Sequence, residues 1–480
     1  MTLEILLALP VGDKTFFYKR KILEKNKPKI GQIVKVKFRK KKQIGIVLKK
    51  PQKININKKL LEIESSYENY FFNEEIIESI NFLSKYTCNS LSIILKNFLS
   101  GFKENLKRLE LVDYNHKFKL PTLSDEQKKA LSSINKKIQN SFNVISLYGV
   151  TGSGKTRVYM NIVKEKLKKK FQCLILVPEI ILTKEWVNEI FDDFGIVAEI
   201  YHSSIKASKK ANIWNHIILN KSILIIGTRS SLFLPFKNLG IIVVDEEHDS
   251  SYKQEDKLII NARDFAIIRA KNSNCPIILS SATPSIENVY NCKKKKFLEI
   301  QMLERVNKVP LPNIQIVDMR KEKNIISEEL TLQIKKNLHL NLQTMIFINK
   351  RGYTSFTLCK KCGFIKQCPK CNVSLVLHNY INKESFLLCH HCSYREKFTN
   401  YCNTCDSEGS IIFPGEGIEK IYEEIKKKFS GSKSIFISSD SIKKKANLNS
   451  ILKEIINNEV DIIVGTQILS KGHNFPYLKT

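Results

Sequence analysis

No stretch of about 18 or more consecutive apolar residues occurs in these 480 residues, and a bilayer core needs about 20, so a membrane-spanning helix is not expected. No basic segment precedes the short apolar run of MTLEILLALPVGDK, and no small-residue cleavage site follows it. The start therefore does not read as a secretory signal. A cytoplasmic chain is the expectation, and in that compartment paired cysteines bind metal rather than each other. No internal repeat and no long low-complexity tract is present. Acids are scarce: 47 Asp and Glu against 79 Lys and Arg, a formal charge of +32. That excess favours a polyanionic partner, most simply nucleic acid. A composition rich in Lys, Asn and Ile, as an AT-biased genome produces, gives the same excess. Charge alone does not choose between these readings, and runs such as Lys168–Lys170 and Lys293–Lys296 read as solvated faces.

The length suits about three domains. Residues 1–104 hold no nucleotide motif. Val34–Phe38 alternates like a strand, Gln43–Leu48 reads as its hairpin partner across a basic turn at Arg39–Lys42, and Glu74–Lys85 is helical in pattern. A polar connector, 105–122, ends the segment. From Leu123, apolar runs alternate with amphipathic helices: Val144–Leu147, Cys173–Val177, Ile223–Ile226, Ile241–Val244 and Ile277–Leu279. That alternation predicts a parallel α/β sheet. A second series begins at Thr344–Ile348 and continues at Ser434–Ile437 and Asp461–Val464. Cys173 and Cys275 lie in or beside such runs and are expected to be buried thiols; Cys88 and Cys292 also stand alone.

Between the first strand and the helix expected over Arg157–Lys170 lies Gly149-Val150-Thr151-Gly152-Ser153-Gly154-Lys155-Thr156. This satisfies G-x-x-x-x-G-K-[ST], the phosphate loop. Its glycines let backbone N–H groups curl around phosphate, and the helix N-terminus adds a positive dipole end. Lys155 is expected to reach the β- and γ-phosphates of ATP, and Thr156 to ligate Mg²⁺. Ile241–Val244 runs into Asp245-Glu246-Glu247-His248. A buried parallel strand delivers its last residues to the sheet edge where phosphates sit. Asp245 is expected to hold Mg²⁺ and Glu246 to deprotonate the attacking water. His248 either couples the site to a neighbouring lobe or caps local structure.

Eight of the twelve cysteines form four C-x-x-C knuckles: Cys359/Cys362, Cys368/Cys371, Cys389/Cys392 and Cys402/Cys405. Two knuckles complete one tetrahedral Cys₄ site, so eight thiolates suit two structural Zn²⁺ with no open position. The first two knuckles are separated by five residues, and spacing alone does not fix which pairs share an ion. His378, His390 and His391 read as surface residues. So small a module gains most of its folding energy from the metal.

The phosphate loop and DEEH stand with LVPEI (Leu176–Ile180), GTRSSLFLPF (Gly227–Phe236) and SATPS (Ser281–Ser285). This set resembles a superfamily 2 helicase. With ALPV near the start, LSDEQ (Leu123–Gln127), FINKRGY (Phe347–Tyr353), the cysteine block, PGEGIEK (Pro414–Lys420) and GTQILSKGHNFP (Gly465–Pro476), the chain resembles the primosomal replication-restart helicase (PriA) family almost from end to end. The resemblance implies two RecA-like lobes, 123–320 and 321–480, the second incomplete, with a double Cys₄ zinc module inserted at 359–405 and a small β-rich DNA-binding domain at 1–104. It implies that Gln127 reads adenine. Thr228, Arg229 and Ser281–Thr283 then contact or couple to single-stranded DNA, and Gly465–Gln467 with Lys471 and Gly472 do so from the second lobe. It implies a nested metal pairing, Cys359, Cys362, Cys402 and Cys405 on one ion and Cys368, Cys371, Cys389 and Cys392 on the other. The implied activity is ATP-dependent 3′ to 5′ unwinding at stalled or abandoned forks, near the nucleoid. Implied partners are single-stranded and branched DNA, helicase-loading proteins and single-strand-binding protein.

Three departures qualify this. The chain stops at Thr480 before an arginine motif that reaches the γ-phosphate, and such an arginine is worth on the order of 10³–10⁵ in rate. A truncated fork-binding scaffold with little unwinding is therefore the alternative expectation. The connector of about eighteen residues leaves no room for a winged helix. After DEEH, Leu258 and Ile260 stand where relatives carry aromatics that stack on bases, with Tyr252 as the remaining aromatic.

Overall fold

The structure is a computed structural model that describes residues 2–20, 28–52, 60–104, 116–119, 121–138, 141–178, 184–256, 258–306, 312–319, 324–348, 357–380, 383–412, 418–437, 445–465 and 475–480. The chain divides into two compact units, Met1–Leu311 and Pro312–Thr480.

The first unit opens with five strands, β1 (Thr2–Leu7), β2 (Thr15–Lys19), β3 (Gln32–Phe38), β4 (Lys41–Gln52) and β5 (Ser65–Phe71), in the antiparallel order β2-β1-β4-β3-β5. The β3–β4 turn is tighter than the sequence suggests. Phe38 pairs with Lys41, so Arg39 and Lys40 alone make the turn, at φ of 46° and 64°. Both are left-handed, as the twist of a two-residue hairpin demands. Helices α1 (Glu74–Thr87) and α2 (Leu91–Phe98) follow.

The remainder of this unit runs α3 (Asp125–Lys137), β6 (Val144–Gly149), α4 (Lys155–Lys168), β7 (Gln172–Leu176), α5 (Lys184–Phe194), β8 (Ala198–Tyr201), α6 (Ala207–Ile218), β9 (Leu224–Gly227), β10 (Leu239–Asp245), a short hairpin β11 (Lys253–Gln254) and β12 (Ile260–Asn261), α7 (Ala262–Asn272), β13 (Ile277–Ser281), α8 (Ile286–Lys293) and β14 (Leu298–Met302). Seven strands form one parallel sheet, β14-β6-β13-β10-β7-β9-β8. The five apolar runs of the sequence are its inner strands. β8 and β14, half-buried at the two edges, lack that signature.

Alternation along each strand splits the core. Cys173, Ile175, Ile241, Val243 and Ile278 face α3, α4 and α5. Leu174, Leu176, Ile242, Val244 and Leu279 face the other way, into a core that continues through Trp214 to Phe72, Ile76, Ile94 and Phe98 of the N-terminal segment. Trp214 is fully buried, stacks on Tyr70 with ring centroids 6.2 Å apart, and donates its indole N–H to the Phe98 carbonyl at 2.8 Å. The small β domain is thus fused to the large sheet by a shared core. The connector segment 116–119 lies along the end of α5, with Lys117 and Lys119 N–H groups on the Gly195 and Phe194 carbonyls.

The second unit holds α9 (Glu328–His339), β15 (Thr344–Phe347), a group of short strands β16 (Leu358–Cys359), β17 (Val376–Tyr380), β18 (Lys383–Leu388), β19 (Arg395–Lys397), β20 (Tyr401–Cys402), β21 (Ser407–Glu408) and β22 (Ile411–Ile412), then α10 (Ile418–Lys428), β23 (Ser434–Ile437), α11 (Lys445–Ile456) and β24 (Ile462–Gly465). Its described parallel sheet is β15-β24-β23. The short strands pair among themselves and carry the cysteines. They interrupt the lobe between its first two strands.

Candidate functional site

The phosphate loop joins β6 to α4. Gly152 and Gly154 sit at φ of 82° and 78°, a conformation any Cβ disfavours. A Cβ on Gly154 would also lie 2.2 Å from the Gln127 amide nitrogen. The helix expected from Arg157 begins two residues earlier, at Lys155, so Lys155 and Thr156 occupy its first turn, where free N–H groups and the dipole face an anion. The Lys155 ammonium donates to the Gly149 carbonyl at 2.7 Å and reaches that of Val150 at 3.4 Å. Burial lowers its pKa, opposed by the charges of Glu246 and Asp245. Thr151 and Gly152 are exposed; Ser153 is buried.

Two pieces of chain brace this loop. Val150 N–H bonds to the Met302 carbonyl, and Val306 N–H to that of Gly152, both at 3.0 Å. Gln127 is fully buried. Its amide oxygen accepts the Ser124 N–H at 2.9 Å, completing a capping box that starts α3. Its amide nitrogen donates to the Ser153 carbonyl at 3.0 Å. Both ends of the side chain that the resemblance assigns to adenine are thus engaged with protein.

Asp245 ends β10 and Glu246 follows it. Asp245 Oδ2 accepts the Tyr159 hydroxyl at 3.1 Å, and Oδ1 accepts the Glu246 N–H at 3.1 Å. Burial raises the Asp245 pKa. Glu246 lies at φ 48°, left-handed for a residue with a Cβ. His248 Nδ1 is 2.8 Å from the Ser281 hydroxyl and 3.5 Å from Glu246 Oε2. Of the two roles open to it, the local one is visible here: it ties the DEEH turn to SATPS. Arg229 donates to the Lys253 carbonyl at 3.0 Å, so GTRSS touches the loop after DEEH.

That loop corrects one expectation. Tyr252 is 2% exposed, and its hydroxyl reaches the carbonyls of Asp245 at 2.6 Å and Leu176 at 3.0 Å. It fastens β10 to its neighbour and offers no face to a base. Leu258 and Ile260 are buried as well; Ile259 between them is exposed. Tyr159 escaped sequence reasoning, although it stands four residues after Lys155, one helical turn along the same face. Thr466, Gln467, Lys471 and Gly472 lie outside the described residues, as do parts of LVPEI, FINKRGY and PGEGIEK.

The four knuckles share one local geometry. In each, the residue after the second cysteine donates its N–H to the carbonyl of the first at 2.9 Å and has positive φ: Gly363 (75°), Asn372 (56°), Ser393 (60°) and Asp406 (54°). The tertiary structure gathers them in two sets, Cys359, Cys362, Cys402 and Cys405, and Cys368, Cys371, Cys389 and Cys392, with sulfurs within 4.8 Å of one another in each. Sγ···Sγ separations are 3.6 Å for Cys359–Cys405 and Cys362–Cys402, and 3.4 Å for Cys368–Cys392 and Cys371–Cys389. A tetrahedral ion with bonds of about 2.3 Å sets its ligands about 3.8 Å apart, so the sets fit Zn²⁺ and are too open for disulfides. His390 and His391 are exposed and belong to neither set.

A phosphate loop and a strand-end carboxylate pair at the rim of one parallel sheet mark a nucleotide-binding α/β protein, and residues 124–292 match the DEAD/DEAH box helicase family, which gives its class. Residues 4–100 match the 3'DNA-binding domain (3'BD) found in PriA. The chain is 41% identical to "Replication restart protein PriA" of Rickettsia prowazekii over 98% of its own length and 72% of that protein's. It is 39% identical to the Rickettsia felis protein of that name, over 94% and 69%, and 35% identical to the Bacillus subtilis one, over 80% and 48%. The chain belongs to the PriA replication restart family.

Proposed function

We propose that this protein is an ATP-driven DNA motor that moves 3′ to 5′ on single-stranded DNA, acts at stalled or abandoned replication forks, and brings helicase-loading proteins to them. The observation that carries this reading is the meeting of the phosphate loop with Asp245 and Glu246 at one sheet edge. It occurs in a unit whose other part matches a 3′ DNA-binding family and shares its core. In this reading residues 1–104 bind DNA, 105–122 connect, and 123–320 and 321–480 are the two lobes, with 359–405 inserted in the second.

Lys155 and the N–H groups of Gly149–Thr156 hold the triphosphate. Thr156 and Asp245 hold Mg²⁺, whose charge offsets that of the phosphates. Glu246 takes the proton of the attacking water. Gln127 reads adenine by releasing one of its two protein partners. The eight cysteines hold two structural Zn²⁺. Partners are fork and single-stranded DNA, loading proteins and single-strand-binding protein, in the cytoplasm. No described helix is long and apolar enough to cross a membrane.

The test is ATP hydrolysis stimulated by single-stranded DNA, for the 480-residue chain and for Lys155→Ala. Stimulated turnover in the first and none in the second is expected. Equal rates would remove the motor and leave a fork-binding scaffold.

A further inference from the structure

Within DEEH, Asp245, Glu246 and His248 have roles in the site; Glu247 has none. Its side chain is wholly buried. Its carboxylate accepts the Ser285 N–H at 2.7 Å, the Ser285 hydroxyl at 3.0 Å, the Asn288 amide at 3.0 Å and the Arg263 guanidinium at 3.1 Å. Its own N–H bonds to the Ser280 carbonyl at 3.1 Å. Arg263 is itself held by Asp264 at 2.9 Å and by the Ser285 hydroxyl at 2.7 Å. A charged group so deeply buried is stable only when every lone pair is met, and this one is. The residue is fixed at both ends, to β13, to the SATPS turn and to the start of α7.

Immediately before it stands Glu246 in the left-handed region, at φ 48°. Such a backbone is disfavoured for a residue with a Cβ and persists only where the surroundings over-determine it. To relax, Glu246 must swing the peptide that leads into Glu247. An anchored Glu247 cannot follow. We propose that Glu247, locked by Arg263 and Ser285, is a positioning residue that holds the Glu246 backbone in its strained form and so aims the Glu246 carboxylate at the attacking water. The inference rests on reading Glu246 as the base, and it makes the second glutamate of the motif a part of the hydrolytic machinery that touches neither nucleotide nor water.

Two measurements test it. The first is steady-state hydrolysis, with affinity for a fluorescent non-hydrolysable ATP analogue, in Glu247→Gln and in the double substitution Glu247→Gln with Arg263→Gln. A small misplacement of a reacting group lowers turnover by up to about 100-fold. Expected for Glu247→Gln is a kcat at least about tenfold lower, with KM for ATP and analogue affinity unchanged. The double substitution, which restores a neutral amide pair, should recover part of the loss. Unchanged kcat, or kcat and analogue affinity falling together, would overturn the proposal. The second is the φ angle of Glu246 in a crystal structure of Glu247→Ala, or of Glu247→Gln if the first does not fold. Relaxation to negative φ is expected, and an angle that stays near its present value would overturn the proposal whatever the activity. If the wild type hydrolyses no faster than Lys155→Ala, the motor reading fails instead, and the angle still decides the positioning claim.

Discussion

In the proposed reading Asp245 holds a dication, a task for which a carboxylate must be kept from wandering among rotamers, and Asp245 is held on both oxygens. The Tyr159 hydroxyl supplies one bond from inside the helix that carries Lys155. Partners of this kind behind a metal ligand are typically worth about 10–100-fold in metal affinity. Tyr159→Phe is therefore expected to raise the Mg²⁺ concentration for half-maximal hydrolysis by roughly tenfold, and Mn²⁺ binding followed by magnetic resonance should weaken in step. An unmoved Mg²⁺ requirement would show the bond to be incidental. Gln127 serves two ends at once. Gln127→Ala is expected to lower thermal stability through two lost hydrogen bonds, each worth about 1 kcal/mol, and to erase discrimination between ATP and GTP. Lower stability with discrimination intact would leave Gln127 as a clamp on the phosphate loop alone.

Among elements, the seam between the small β domain and the large sheet is built on an aromatic cluster. Tyr67, Tyr70, Phe72, Phe98 and Phe102 gather around Trp214, and a Cβ on Gly101 would meet the Trp214 side chain at 2.6 Å. Trp214→Ala removes a fully buried indole and its bond to Phe98. The expected loss is about 3–5 kcal/mol, read by thermal denaturation together with faster proteolysis between residues 1–104 and the sheet. A small shift in Tm without new cleavage would mean that the seam is not what joins them. The cysteine knuckles are elements of the opposite kind, with small apolar clusters such as Leu375 and Leu387. Stripping the protein with a strong chelator is expected to release two zinc ions per chain and unfold 357–412. Emission from the two tryptophans, Trp186 and Trp214, both in Met1–Leu311, should be unaffected. Elemental analysis finding fewer than two ions would reject the eight-ligand assignment.

For the whole molecule the governing quantity is charge. At +32, neutralising DNA phosphates releases counterions, so affinity for a fork substrate is expected to fall steeply and log-linearly with salt. A flat dependence would return the lysine excess to genomic base composition. The charge says nothing of sequence preference, which requires contacts to base edges rather than to phosphates.

The phosphate loop, the Asp245–Glu246 pair, the four knuckles and the inner strands were legible in the amino-acid chain alone. Each depends on residue types at fixed short spacing, and the chain cannot realise such a spacing in many ways. It did not reveal β8 and β14, whose half-buried edges carry little hydrophobic signal, nor Tyr159 as the partner of Asp245. Spacing left open which knuckles share a site; the family resemblance implied the nested pairing, and the folded chain gathers those same two sets. That closing of distant segments also turned Tyr252 inward as a fastener, set the Gln127 amide nitrogen on the Ser153 carbonyl and buried Glu247 among Arg263, Ser285 and Asn288. The difference is one of range. Backbone curvature and metal knuckles are set by neighbours a few residues away, whereas burial and many hydrogen-bond partners come from segments far apart in the chain that meet only when the sheet assembles.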